Sequence, residues 1–137
     1  MKNITYIGMD VHTTNYTLCC YSVEDDRYFA EIEIKPDYRE VVKYVNRIQS
    51  QRGEGTKVLC GYEAGCLGYS LYHQLTYHGI ECVILAPSTM PVTPGKKIKT
   101  DRLDARRISK CLAYHTYSAV YIIFPKKDRK KEGDKIK

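Results

Sequence analysis

Four acidic side chains carry the chemical interest of this sequence. Asp10 ends the apolar run Tyr6-Ile7-Gly8-Met9, and Glu63 ends Val58-Leu59-Cys60-Gly61-Tyr62. Asp101 and Asp104 lie three apart in Lys99-Thr100-Asp101-Arg102-Leu103-Asp104-Ala105. A carboxylate closing an apolar strand is costly to desolvate without a partner, and no Lys or Arg lies within seven residues of Asp10. Carboxylate oxygens are the hard ligands that Mg²⁺ prefers. Four of them can hold two divalent cations about 3.5–4 Å apart, one activating water or a hydroxyl and the other stabilising a leaving oxygen. The pattern points to metal-dependent phosphoryl chemistry on a nucleic acid.

The pair near residue 100 also has a plain structural explanation. Residues three apart on a helix are separated by about 60° around the axis and about 4.5 Å along it. A helix from about Thr100 to Tyr114 would therefore present Asp101 and Asp104 to one site. Acids in a first turn are favoured by the helix dipole in any case, and Thr100 is a good N-cap. Asp10 and Glu63 have no such ready explanation.

The stretch Gly8-Met9-Asp10-Val11-His12-Thr13-Thr14 is similar to the phosphate loop of actin-like ATPases and sugar kinases. Those loops need glycine two residues after the aspartate, so that the backbone can approach phosphate. His12 stands there, and no later glycine-rich phosphate loop follows. That reading is set aside.

The elements that must position the carboxylates follow from residue patterning. Residues 4–9 and 17–23 read as strands rich in β-branched and aromatic residues, with Thr13-Thr14-Asn15 turning between them. After the polar turn Glu24-Asp25-Asp26, Tyr28, Ala30, Ile32 and Ile34 alternate with charged residues in a third strand. Pro36-Asp37 opens a helix to about Gln51, with Val41, Val42, Val45 and Ile48 on one face. Residues 57–62 form a strand ending at Glu63, a helix runs from about Gly68 to His78 with Gly79 as its stop, and residues 80–85 form the next strand. The order implies an α/β fold with a mixed sheet and helices on its faces, in which sites form at strand C-termini. Residues 118–124 are one more apolar run, ended by Pro125.

Composition bounds the rest. At 137 residues the chain is one domain with room for a core, and no stretch approaches a membrane span. Together with an N-terminus that is not an apolar secretory segment, this gives a soluble, cytoplasmic expectation. Cys19, Cys20, Cys60, Cys82 and Cys111 lie in apolar runs, Cys66 lies in a glycine-flanked loop, and none matches a zinc spacing. Reduced structural thiols are expected.

Net charge is +6, unevenly spread. Residues 1–95 carry 8 basic and 11 acidic groups, residues 96–110 carry 7 and 2, and residues 126–137 carry 7 and 3. The basic segment holding Asp101 and Asp104 suits a polyanion, with Lys96, Lys97, Lys99, Arg102, Arg106 and Arg107 as nucleic-acid-binding candidates. A solvated helix face is the ordinary alternative. His12, next to the candidate site, reads as a turn histidine with contact to a phosphate as the alternative, His73 and His78 as surface or satisfied core, and most of the 13 tyrosines as packing groups. Tyr62, beside Glu63, is the tyrosine singled out for mutation.

Four blocks, Gly8-Met9-Asp10-Val11-His12, Glu63-Ala64-Gly65-Cys66-Leu67-Gly68-Tyr69, Ala86-Pro87-Ser88 and Lys99-Thr100-Asp101-Arg102-Leu103-Asp104-Ala105-Arg106, occur in an order and spacing that resemble the N-terminal domain of the DEDD-type insertion-sequence transposases of the IS one-ten group. The resemblance covers roughly residues 4–124. It implies a RuvC-like, ribonuclease-H-like domain that binds Mg²⁺ or Mn²⁺ through a tetrad, here Asp10, Glu63, Asp101 and Asp104, for cleavage and transfer of DNA strands. It also implies an oligomer with a composite site completed by a separate serine-bearing domain, and, in some members, a structured guide RNA.

The expected organisation is a RuvC-like domain over residues 1–125 and a basic, disordered tail over 126–137, truncated before the serine domain. Such a fragment is expected to be inactive in full transposition. Two other functions stay open on sequence: a non-catalytic remnant binding nucleic acid or full-length transposase subunits, and a stand-alone junction-resolving nuclease.

Overall fold

The computed structural model describes residues 3–53, 55–65, 68–86, 88–89, 100–101 and 104–119. Strand β1 (Asn3–Val11) turns at residues 12–15 into β2 (Tyr16–Ser22), and β3 (Arg27–Ile34) follows antiparallel to β2. Helix α1 (Tyr38–Arg52) leads to β4 (Thr56–Glu63), and α2 (Ser70–Tyr77) leads to β5 (Glu81–Leu85). Both β4 and β5 run parallel to β1, giving the order β3-β2-β1-β4-β5. This mixed sheet with helices on both faces is the ribonuclease-H-like arrangement.

Helix boundaries follow local chemistry. Asp37 caps α1 by accepting the Arg39 amide at 2.9 Å. Helix α2 ends in a Schellman motif: the Gly79 amide donates to Thr76 and the Ile80 amide to Leu75, with Gly79 at φ +81°. In β3 the register skips between Leu18 and Cys20, and Ala30 adopts φ +58° within that bulge. The next residue, Glu31, reaches across to α3 (Ala105–Tyr114), where Arg106 meets it at 2.9 Å.

Alternation along the strands divides the core. Ile7, Met9 and Val11 of β1 and Val58, Cys60 and Tyr62 of β4 pack with Val41, Val45 and Ile48 of α1 and Leu71 and Leu75 of α2. The opposite face carries Tyr6, Leu59, Val83 and Leu85 against Ile108 and Leu112 of α3. Burial of about two dozen residues in these two layers removes their apolar surface from water, the dominant favourable contribution to folding.

One sequence expectation is corrected here. The third helix begins at Ala105, not at Thr100. Thr100 and Asp101 instead form β7, a short strand paired with β6 (Ser88–Thr89), with Ser88 opposite Asp101. Asp104 is the N-cap, with φ −85° and ψ 175°, and its Oδ1 accepts the Arg107 amide at 2.9 Å. Strand pairing keeps Thr100–Asp101 extended, and Asp104 supplies the better cap immediately before the apolar period Ala105, Ile108, Leu112. Asp101 and Asp104 therefore do not share a helical turn. The apolar run at 118–124 is described only to Ala119, which bridges antiparallel to Leu85. Residues 126–137 lie outside the described residues.

Candidate metal and nucleic-acid site

Asp10 and Glu63 lie side by side. Strands β1 and β4 are parallel and in register through Met9 opposite Tyr62, and the two acids are the next residue on each strand. Met9 and Tyr62 face α1 and α2, so by strand alternation Asp10 and Glu63 face the α3 side. Glu63 is 6% exposed, and the Asp10 side chain 23%. Two carboxylates thus meet at the C-terminal edge of adjacent parallel strands.

Glycine sets how closely α3 approaches this face. Gly8 and Gly61 are register partners two residues before the two acids, and α3 lies across both. A β-carbon at Gly8 would stand 2.1 Å from the Ala105 carbonyl oxygen, and one at Gly61 would stand 2.7 Å from Leu112 Cδ2. The missing side chains let the first turn of α3 sit on β1, and Asp104 caps that turn. No sequence pattern of charge or hydropathy identified this glycine pair as a helix seat.

His12 contributes something the sequence reading missed. It was read as a bland turn residue, yet its Nε2 lies 3.2 Å from Asp10 Oδ1. The turn that carries it is closed by the His12 amide donating to the Asn15 carbonyl at 3.0 Å. Asp10 thereby has a partner two residues away, which orients the carboxylate.

Tyr62 is corrected in the other direction. Its ring is fully buried on the α1/α2 face, away from Glu63, and burial raises its phenol above the ordinary range. The hydroxyl donates to the Gly68 carbonyl and accepts the Tyr72 amide, each at 3.1 Å. It fastens the segment entering α2.

Of the basic candidates, Arg106 and Arg107 are described. Arg106 is committed to Glu31 and lies 5.7 Å from the centre of the Tyr28 ring. Its guanidinium is held even further above its usual range by the hydrogen bond to Glu31. Arg107 is exposed at the start of α3. Lys96, Lys97, Lys99, Arg102 and the side chain of Asp101 lie outside the described residues. Among the described residues, no three His, Cys, Asp or Glu side chains converge on a metal-sized point. The donor chemistry of Asp10 and Glu63 suits a hard cation, and these two alone make an incomplete ligand set.

The sequence profile of a transposase family, the IS110-type DEDD transposases, matches residues 7–127, which includes all four acids. The chain belongs to this family. Among its relatives, the transposase for insertion sequence element IS1533 of Leptospira borgpetersenii is 32% identical over 112 residues, 82% of this chain and 32% of the relative. The transposase-like protein y4qE of Sinorhizobium fredii is 31% identical, over 81% of this chain and 27% of its own length. The chain thus spans between about a quarter and a third of the length of these relatives. Among the described residues no helix is long and apolar enough to cross a membrane.

Proposed function

We propose that this chain is the metal-binding domain of an IS110-type transposase, in which Asp10, Glu63, Asp101 and Asp104 hold a divalent cation for cleavage and transfer of DNA strands. The observation that carries this reading is the adjacency of Asp10 and Glu63 beneath the capped end of α3. When bound, Mg²⁺ or Mn²⁺ would supply Lewis-acid activation at a phosphodiester.

The chain's own residues do the holding. Asp10 and Glu63 present oxygens from a rigid sheet edge, and His12 fixes the orientation of Asp10. Asp104 is steadied by its capping bond to Arg107. Arg107, with Lys96, Lys97, Lys99 and Arg102, gives the DNA backbone a cationic approach. Arg106 takes a smaller part because Glu31 already balances it. In this reading the site is composite, completed by a serine-bearing part of a longer chain or by other subunits of an oligomer. A structured guide RNA is a further partner that the family implies.

Replacing the natural cation with Fe²⁺ and adding ascorbate tests the site without requiring turnover. Local radical chemistry should cut the polypeptide near Asp10 and Glu63, and Mg²⁺ should suppress it. Cutting spread evenly along the chain would overturn the proposal.

A further inference from the structure

The α1/α2 face, opposite the carboxylates, bears a group of rings that the proposed metal site does not use. Tyr69, His73 and Tyr77 recur every four residues along α2, which places them about 6 Å apart on its outer side. Helical spacing already holds at the first of them, since the His73 amide donates to the Tyr69 carbonyl at 3.0 Å. Tyr77 is 86% exposed and Tyr69 44%. The ring surface continues onto α1: Tyr77 lies 5.4 Å from His78, and His78 lies 5.2 Å from Tyr38.

A cation borders the α1 end of this surface. The Arg39 guanidinium lies 5.9 Å from the Tyr38 ring centre, and Lys43 follows one turn along α1. Both are paired locally, with Asp37 and Glu40, but in exposed ion pairs whose side chains are 72% and 75% accessible on the basic partner. The Lys43–Glu40 contact, at 3.4 Å, is the looser of the two, and exposed pairs of this kind contribute little to stability. No acidic residue follows Glu40 within α1, whereas Lys43, Arg47 and Arg52 do.

We infer that this face is a stacking platform for unpaired bases of a single-stranded nucleic acid, with Tyr69, His73 and Tyr77 as the stacking groups and Arg39 and Lys43 as backbone contacts. Rings bordered by cations are the chemistry of single-strand recognition, because every base offers a π-face and every linkage a charge. Tyrosine and arginine are enriched at protein interfaces as well, so a second copy of this chain is the competing occupant that the test must exclude. Here the exposed large apolar side chains among the described residues are Val23 and three tyrosines. The platform stands independently of the metal site.

The test uses the whole chain in EDTA, so that metal binding and cleavage play no part. Fluorescent oligothymidylate and oligouridylate are titrated against wild type, Tyr77→Ala, Tyr69→Ala with Tyr77→Ala, Tyr77→Phe and Lys43→Gln, alongside a DNA duplex. The platform predicts that removing Tyr77 weakens single-strand binding by about fivefold or more. Tyr77→Phe retains binding, and Lys43→Gln lowers the salt dependence by about one ion. A preference between the two oligonucleotides assigns the strand as RNA or DNA. Unchanged affinity in the double variant, equal loss on duplex, or a change confined to self-association by sedimentation would overturn it.

Discussion

Gly8 lies directly beneath Ala105, so closely that a β-carbon on the glycine would stand 2.1 Å from the alanine carbonyl oxygen and 2.4 Å from the Ser109 amide nitrogen. Both obstructing atoms are backbone and cannot rotate away. The absent side chain therefore fixes how near α3, and with it Asp104, comes to Asp10. Gly8→Ala should push the helix off the sheet and destabilise the fold by about 1–3 kcal/mol. Urea unfolding checks this, and a midpoint equal to wild type would show that α3 is not seated on Gly8.

Tyr62 adjoins Glu63 in sequence but works on the other side of the sheet. Tyr62→Phe removes the partner of both the Gly68 carbonyl and the Tyr72 amide. The expected cost is about 1–3 kcal/mol if those groups stay dry. Divalent-metal affinity should be unaffected. Loss of metal binding at unchanged stability would return Tyr62 to the site.

Alkaline pH should weaken the fold through its buried thiols. Burial pushes Cys20 and Cys82 up from 9.0 to about 12 in the folded chain. For groups whose folded value is raised, the stabilisation is complete below the unfolded value and lost as pH rises through the folded one. Stability followed by circular dichroism should thus fall progressively from about pH 9 to pH 12, the interval set by these two thiols. Cys20→Ala and Cys82→Ala together should make that decline shallower. The remainder comes from Cys19 and Cys60, whose thiols burial also raises. An unchanged profile would assign the decline to groups other than Cys20 and Cys82.

Arg106 and Arg107 are adjacent in sequence but differ in what they can offer a polyanion. Glu31 already meets Arg106, whereas Arg107 is exposed at the capped end of α3. Arg107→Gln should lower the salt dependence of DNA binding by about one ion, and Arg106→Gln by clearly less. The Arg106–Glu31 pair is itself well exposed, so its removal should change stability by less than about 1 kcal/mol. Equal salt slopes for the two variants would contradict this ranking.

Much of the fold was legible because its signals were local. Alternation in β3, the α1 stripe of Val41, Val45 and Ile48, and the stop at Gly79 each specify an element within a few residues. The position of Asp10 and Glu63 at strand ends was legible in the same way, whereas the parallel β1–β4 pairing that sets them side by side was not. What escaped the sequence was set over distance. The pairing of Thr100–Asp101 with Ser88–Thr89 overrode the helical spacing of Asp101 and Asp104, moving the helix start to Ala105. The Gly8–Gly61 seat depends on register between strands some fifty residues apart in the chain. Tyr62 was misplaced because adjacency in a strand means opposite faces. The exposure of Tyr77 could not be read from a helix with two other tyrosines near it.

The central claim, that Asp10 and Glu63 are ligands of one divalent cation, is tested most directly by calorimetric titration of Mn²⁺ into wild type, Asp10→Asn, Glu63→Gln and Asp37→Asn, with folding verified for each. Asp37 is an exposed helix cap of α1 and serves as the control. Weakening by at least about tenfold in the first two variants, with wild-type affinity for Asp37→Asn, is the predicted result. Equal Mn²⁺ affinity in all four proteins would contradict it.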